Sequence, residues 1–380
     1  MSKSPKTKPH HFHPLEISIL GFSGTGKTTL ITRLISHLKA SWKLAYIKHD
    51  AHRFEVDTPG KDSFRATEAG ASSSFIGNAE HFAWMASGTQ SYFSQRSIFL
   101  DYDAAIIEGH KTLDVDKIVM LDEDHAILDH LPVAALGRIR AFVGEGATPS
   151  QTLPWDVPYF QRDSIEAIAL CVETIWQLKM NLSARPLHAL VLGGGRSTRM
   201  GRDKSRIEYK GQLQALRVLD LFKDLGLPAY LSLRQDQWSA AERADLPILD
   251  DQFQNLGPIG GILTAMQRFP DAAWLVTACD LPLLDRAVLD HLLSNRRPEK
   301  LATAYLSEHD GLPEPLCAIY EPIARMRLLE ALGLGLSCPR KVLINSNTQL
   351  LAPFKAAALT NVNTPEEYEH IQTQFSEMTL

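Results

Sequence analysis

Cysteine is scarce in this 380-residue chain: Cys171, Cys279, Cys317 and Cys338 are scattered, with no Cys-x-x-Cys pair. That spacing excludes a disulfide framework or a cysteine-built zinc site and points to a reducing cytoplasm. Also missing is any run near the ~20 apolar residues that a membrane span requires. Met1–Pro14 has no apolar stretch, so it does not read as a secretory leader. Positive charge is not in excess either, since 39 Lys and Arg face 44 Asp and Glu for a net charge of −5. A dedicated nucleic-acid binder needs a basic surface, so DNA and RNA are excluded as partners. What is left is a soluble cytoplasmic protein, long enough at ~150 residues per domain for two or three domains.

The first fourteen residues hold three lysines, three histidines, three prolines and no acid, and residues 1–14 read as a flexible tail. His10, His11 and His13 have no further ligand at metal-site spacing, which favours a solvated segment over a metal site. From Leu15 onward, short apolar runs alternate with amphipathic stretches. Glu16–Leu20, Leu44–Lys48, Ala104–Ile107 and Lys117–Leu121 read as strands, Leu30–Leu38 and Ser164–Leu178 as helices. This alternation predicts a mostly parallel α/β sheet over 15–180. The polar, proline-ended stretch Asn181–Pro186 breaks the pattern. It restarts at Leu187–Leu192 and continues through Ala229–Leu233, Pro247–Leu249 and Trp274–Thr277, giving a second α/β domain over 187–380. Residues 1–182 carry 18 Lys and Arg against 21 Asp and Glu, and the remainder 21 against 23. Neither half is therefore a charged tail.

Gly21-Phe22-Ser23-Gly24-Thr25-Gly26-Lys27-Thr28 fits G-x-x-x-x-G-K-[ST], follows a strand and opens a helix, which is the context a P-loop needs. Glycines let backbone N–H groups curl around phosphate oxygens, and the helix N-terminus adds favourable partial charge. Gly24, Thr25, Gly26, Lys27, Thr28 and Thr29 are the expected nucleotide-binding residues. Lys27 would reach the β- and γ-phosphates, and Thr28 would ligate Mg²⁺. The strand ending in Glu108-Gly109 supplies a second metal-facing group, Glu108, which would hold Mg²⁺ or orient water. Asp103, on the entry side of that strand, reads as a turn acid. No Asn-Lys-x-Asp guanine-reading motif is present.

A second loop, Leu192-Gly193-Gly194-Gly195 through Met200-Gly201-Arg202-Asp203-Lys204, follows another buried-type strand. It has neither the Walker ending nor G-x-G-x-x-G spacing. Its glycines permit close backbone approach, while Arg196, Arg199, Arg202 and Lys204 suit a leaving pyrophosphate. Asp280 and Asp251 stand at strand ends, where open α/β sheets bind ligands and where a hard Mg²⁺ would find carboxylate oxygen. Cys279 reads as a small packed hydrophobe, since no base accompanies it.

These motifs carry two resemblances. Over about residues 15–175, the P-loop, Lys48-His49, Asp57–Ser63, Glu68–Ala71 and Ile107–Lys111 resemble the MobB-type molybdopterin-guanine dinucleotide biosynthesis adaptor. His110 stands where that family often has Phe. Over about 187–370, the second loop, Asp250-Asp251, Gly257–Gly261, Cys279–Pro282 and Asn361–Glu366 resemble MobA-type molybdenum cofactor guanylyltransferases. The resemblance implies a P-loop NTPase sheet fused to a Rossmann-like, glycosyltransferase-A-like nucleotidyltransferase sheet. It also implies a weakly hydrolysing GTP-binding helper beside a transferase that moves GMP from GTP to molybdenum–molybdopterin and releases pyrophosphate. Carried over, Leu192, Gly193, Gly194, Lys204 and Asp251 would bind GTP, and Asp280 would bind Mg²⁺, with Asp280 and Lys204 serving catalysis. Ser232 occupies the place of a family asparagine, with Arg234 nearby. A homodimer is a family-based expectation, as are molybdoenzyme apoproteins or cofactor-delivery proteins as partners.

The acceptor site has several candidates: Arg340, Lys341, Asn345, Asn347, Asn361 and Asn363. Thr364-Pro365 reads as a helix cap and first helical position. Two alternatives stay open, a cytidylyltransferase or nucleotide-sugar pyrophosphorylase on the same fold, and a non-catalytic GTP-dependent cofactor carrier.

Overall fold

The computed structural model describes residues 12–48, 57–88, 92–182, 186–194, 203–209 and 211–377. The chain divides into two compact units, Met1–Lys179 and Met180–Leu380. In the first unit the strands are β1 (Glu16–Leu20), β2 (Leu44–Lys48), β3 (Ser73–Gly77), β4 (Phe82–Ala86), β5 (Ala104–Glu108), β6 (Asp116–Met120), β7 (Ile139–Gly144) and β8 (Tyr159–Gln161). The helices are α1 (Lys27–Leu38), α2 (Asp62–Glu68), α3 (Tyr92–Phe99), α4 (Val133–Leu136) and α5 (Ile165–Leu182).

A parallel sheet of order β2-β5-β1-β6-β7-β8 forms the centre of this unit. Strands β1, β5 and β6 are buried at every position, as expected of parallel strands covered on both faces. α1 packs through Leu30, Ile31, Leu34 and Leu38. Its apolar spacing announced only the stretch from Leu30, because the first turn, Lys27–Thr29, faces the loop rather than the core. β3 and β4 form a separate antiparallel hairpin that the sequence reading did not separate from the sheet. Phe12 and His13 donate backbone N–H groups to Glu16 Oε2 at 2.8 and 2.9 Å. His10 and His11 lie outside the described residues.

In the second unit the strands are β9 (Leu187–Leu192), β10 (Glu208–Tyr209), β11 (Gln212–Leu213), β12 (Ala229–Leu233), β13 (Ile248–Asp250), β14 (Ala273–Ala278), β15 (Ala302–Leu306), β16 (Pro313–Tyr320) and β17 (Thr348–Leu351). The helices are α6 (Gln214–Asp224), α7 (Ala240–Arg243), α8 (Pro258–Arg268), α9 (Arg286–Ser294), α10 (Ala324–Gly333), α11 (Pro339–Ile344) and α12 (Pro365–Glu377). The sheet order is β13-β12-β9-β14-β16-β15-β17. It is parallel from β13 to β14, after which β16 runs antiparallel between β14 and β15. Apolar clusters cover both faces, one with Phe222, Leu231 and Leu289, the other with Ile262, Trp274 and Leu343. α12 starts as read: Thr364 Oγ1 accepts from Glu367 N at 3.3 Å, and Glu367 Oε2 reaches back to Thr364 N at 3.1 Å, a reciprocal cap. No helix among the described residues is long and apolar enough to cross a membrane.

Candidate functional site

Register brings the second unit's chemistry to one edge. Leu192 lies level with Ser232 and with Ala278, and Leu233 with Asp250. The residues leaving β9, β12, β13 and β14 therefore open into one cleft of about 1070 Å³. Leu192, Gly193, Gly194, Lys204, Asp251 and Asp280, all singled out by the sequence, line it together with Ser232, Arg234, Phe253, Asn255, Leu316 and Asn363. Gly195, Arg196, Arg199 and Arg202 lie outside the described residues.

Lys204 is the centre of this arrangement. Its Nζ donates to Asp280 Oδ2 at 2.8 Å and to Asn363 Oδ1 at 2.5 Å. Only one oxygen of Asp280 is thereby satisfied, since Oδ1 is buried without a hydrogen-bond partner. A buried carboxylate oxygen left unpaired is costly, and it is the donor a hard divalent cation prefers. Among the described residues no group of three or more His, Cys, Asp and Glu gathers around a metal position. An ion at Asp280 would therefore draw its other oxygens from phosphates and water, the usual pattern for Mg²⁺. Cys279 is fully buried and burial pushes its thiol far above the usual range, which makes it inert as a nucleophile.

Asp251 stands across the cleft. Ser232 Oγ donates to its Oδ1 at 2.5 Å. Burial raises the Asp251 carboxyl above the usual carboxylate range, against the opposing influence of Ser232 and Arg234. A Cβ on Gly194 would sit 2.5 Å from Asp251 Oδ2, so only glycine leaves this oxygen its place. Ser232 thus belongs to the cleft despite its shorter reach, because it acts on the carboxylate beside it.

Three supporting residues were missed from the sequence. Gln237 Nε2 donates to Gly193 O at 2.7 Å, to Asp203 Oδ1 at 2.9 Å and to Ser205 Oγ at 3.1 Å, tying both described ends of the second loop together. Gln214 donates to Leu281 O at 2.8 Å, and Arg217 to Pro282 O at 2.7 Å, which pins the turn after Asp280. Gln214 and Arg217 sit on the α6 face that packs beneath this turn. A polar pair three residues apart among buried apolar positions was the signal available for them.

Of the acceptor candidates, Asn363 reaches the cleft. Arg340 is turned to Asp310 and Glu314, both at 3.0 Å, while Asn345 Nδ2 donates to Lys341 O at 2.7 Å at the end of α11. Asn347 Oδ1 lies 3.3 Å from Lys300 Nζ.

In the first unit, β1 and β5 are neighbours with Ile19 level with Glu108, so the P-loop and this acid meet. Thr28 Oγ1 lies 3.0 and 2.9 Å from the two Glu108 oxygens. Tyr46 Oη donates to Glu108 Oε2 at 2.7 Å, and Lys48 Nζ is 3.9 Å from Oε1. Lys27 Nζ donates to Phe22 O at 2.6 Å, and burial lowers its pKa. Gly26 caps α1 with φ +82° and no side-chain cap bond. This left-handed turn suits glycine and leaves the first helical N–H groups without a side-chain acceptor. Asp103 accepts from Lys43 N at 2.8 Å, the turn role read for it. His49 and Asp50 lie outside the described residues.

A P-loop sheet in one unit and a nucleotide-type cleft at a strand edge in the other define the class, a nucleotidyltransferase joined to a P-loop domain. Comparison with known proteins agrees. Residues 189–350 match the MobA-like NTP transferase domain family, and residues 16–143 match Molybdopterin guanine dinucleotide synthesis protein B. The Molybdenum cofactor guanylyltransferase of Pseudomonas fluorescens (strain Pf0-1) is 30% identical over 49% of this chain and 94% of its own length. The Molybdenum cofactor biosynthesis bifunctional protein of Synechocystis is 38% identical over 51% of this chain and 56% of its own length. The Molybdopterin-guanine dinucleotide biosynthesis adapter protein of Haemophilus influenzae is 37% identical over 27% of this chain and 61% of its own length. The chain belongs to the molybdenum cofactor guanylyltransferase family, with a MobB domain preceding the transferase domain.

Proposed function

We propose that the second unit transfers GMP from GTP to molybdenum–molybdopterin, releasing pyrophosphate, and that the first unit binds GTP as a helper. The observation that carries this reading is the Lys204–Asp280–Asn363 cluster at the strand edge, with one Asp280 oxygen unpaired. In the reaction, a phosphate oxygen of the acceptor attacks the α-phosphorus of GTP in line. The bond from that phosphorus to the bridging oxygen breaks, and pyrophosphate leaves with the electron pair. The attacking phosphate is already ionised near neutral pH, so no general base is required.

The chain's own groups position and neutralise. Leu192, Gly193 and Gly194 offer backbone close to the nucleotide, and Asp251 accepts hydrogen bonds from it. Lys204 places its ammonium against the departing pyrophosphate, where charge develops. Asp280 would hold Mg²⁺ with the phosphates, and Thr28 and Glu108 would hold it in the first unit; bound there, the ion supplies neutralisation of phosphate charge. Asn363, the second acceptor of the Lys204 ammonium, helps to fix it. The first unit's P-loop, Gly24 through Thr29, cradles its own GTP. Molybdoenzyme apoproteins or delivery proteins would take the product, and a homodimer is the proposed assembly.

The test uses α-labelled GTP or CTP, Mg²⁺ and molybdenum-loaded molybdopterin with the full chain. Label moving from GTP into the cofactor, and lost in Asp280→Ala, supports the reading. Transfer from CTP alone would replace guanine by cytosine, and no transfer from either would make the protein a carrier.

A further inference from the structure

The first unit holds a second cation that neither the P-loop motif nor the family resemblance assigns. Arg162 follows β8, the outermost strand of its sheet, yet its guanidinium reaches the loop after β1. A Cβ built on Gly26 would lie 3.5 Å from Arg162 Nη1, 3.7 Å from Cζ and 3.9 Å from Nε. Three guanidinium atoms at nearly equal distance mean that the plane lies flat over the P-loop glycine that caps α1. The backbone is anchored there: Arg162 N donates to Gly144 O at 2.8 Å. The next residue, Asp163, pairs with Arg33 of α1 at 2.5 Å.

The placement leaves part of the guanidinium unmet. Arg162 Nε is buried without a hydrogen-bond partner, and a desolvated donor left unmet is costly. It pairs with Glu145, whose side chain is 71% exposed, and such pairs are worth little in water. The neighbouring P-loop lysine, meanwhile, is occupied with Phe22 O. A planar fork with an unmet donor beside open helix N–H groups has the chemistry that recognises phosphate.

We infer that Arg162 is a nucleotide-contacting residue of the first unit, joining Lys27 in binding the phosphates of a nucleoside triphosphate. This rests on the reading of that unit as a GTP-binding domain. Glu145 serves as the placeholder partner when no nucleotide is bound. Removing Arg162 should therefore weaken nucleotide binding, whereas removing Glu145 should not.

The experiment measures GTP binding by calorimetry on the full chain. The part of the signal that Lys27→Ala removes is that of the first unit. If no Lys27-dependent binding exists, the GTP-binding reading fails and the Arg162 inference fails with it. If it exists, Arg162→Met is expected to weaken it about tenfold, with Arg162→Lys between the two, as loss of a charged hydrogen-bonding fork predicts. Glu145→Ala is expected to leave affinity unchanged or to raise it. Unchanged affinity in Arg162→Met would overturn the inference while leaving the domain reading intact. Equal losses in Arg162→Met and Glu145→Ala would also overturn it, since they would show that the pair only braces the loop. Because Arg162 is a quarter exposed, its variants are expected to fold. Should Arg162→Met not fold, Arg162→Lys decides: affinity equal to that of the parent overturns the inference, and a loss absent from Glu145→Ala supports it.

Discussion

Glu108 ends an apolar strand and Asp280 follows one, each beside a glycine-rich loop, yet they find different company. Neutral hydroxyls from Thr28 and Tyr46 meet Glu108, with its nearest cation, Lys48, 3.9 Å away. Asp280 instead has an ammonium at 2.8 Å on one oxygen and nothing on the other. The first arrangement stores negative charge that an arriving cation relieves. In the second the charge is already half neutralised, and the lysine is fixed where a leaving group would need it. The difference follows from loop geometry. The Walker loop turns Lys27 back onto Phe22 O, whereas the second loop delivers Lys204 through Asp203 and Ser205, which Gln237 grips.

The largest expected effect is on the acid with the ion pair. Asp280→Ala should lower GMP transfer by about 10³-fold, because the proposed metal ligand and the lysine anchor go together. A rate within tenfold of wild type in a labelled-GTP assay would erase the proposed contrast. Lys204→Ala should cost about 10²-fold in kcat, the usual scale for one charge-stabilising donor, and pyrophosphate should inhibit this variant less. Lys27→Ala should slow transfer only about fivefold, the low end of coupling between sites, although GTP binding by the first unit is lost. A loss as deep as that of Asp280→Ala would mean that the two units share one chemistry.

Smaller effects sharpen the comparison. Tyr46→Phe removes one donor to Glu108 and should slow GTP hydrolysis about threefold, with transfer unaffected in the same preparation. Ser232→Ala removes a contact that lowers the Asp251 pKa. Asp251 then protonates at higher pH, and in the proposed role its carboxylate form would be the stronger acceptor for the nucleotide. The acid limb of the kcat/KM profile should thus move to higher pH, with about a twofold loss on that limb and none above it. A shift toward lower pH would contradict the assignment of Ser232 as donor.

Much of this was legible in the sequence, for a physical reason. Buried parallel strands are nearly continuous apolar runs, so Glu16–Leu20, Leu187–Leu192 and Ala229–Leu233 could be read to the residue, and so could the edge strand Leu44–Lys48, which is buried only at alternate positions. Glycine loops at their ends carry chemistry that composition reveals directly. The reversal of β16 was not legible, because direction depends on which neighbour a strand pairs with, not on its own residues. Gln237 was invisible for a related reason, and Gln214 and Arg217 showed only as a polar pair on an apolar helix face. Their worth lies in carbonyls distant in sequence, such as Gly193 O and Leu281 O. Asn363 was seen but weighed equally with Arg340 and Asn345, since a turn asparagine looks the same whether it faces a cleft or solvent.

The lateness of Asn363 in the chain has a consequence for synthesis. The first unit is complete only once α5 has been made, since Ile168, Val172 and Trp176 are buried in it, and from that point it can fold while the second is still being translated. A nascent chain that has reached Pro282 already carries Lys204, Asp251 and Asp280, but lacks Asn363 and the Val362 N–H that donates to Asp280 O at 3.0 Å. It also lacks β16, the strand that pairs with β14. The first unit therefore precedes the second in synthesis, and the second unit's cleft is assembled only when the Val362–Asn363 segment folds back onto the sheet.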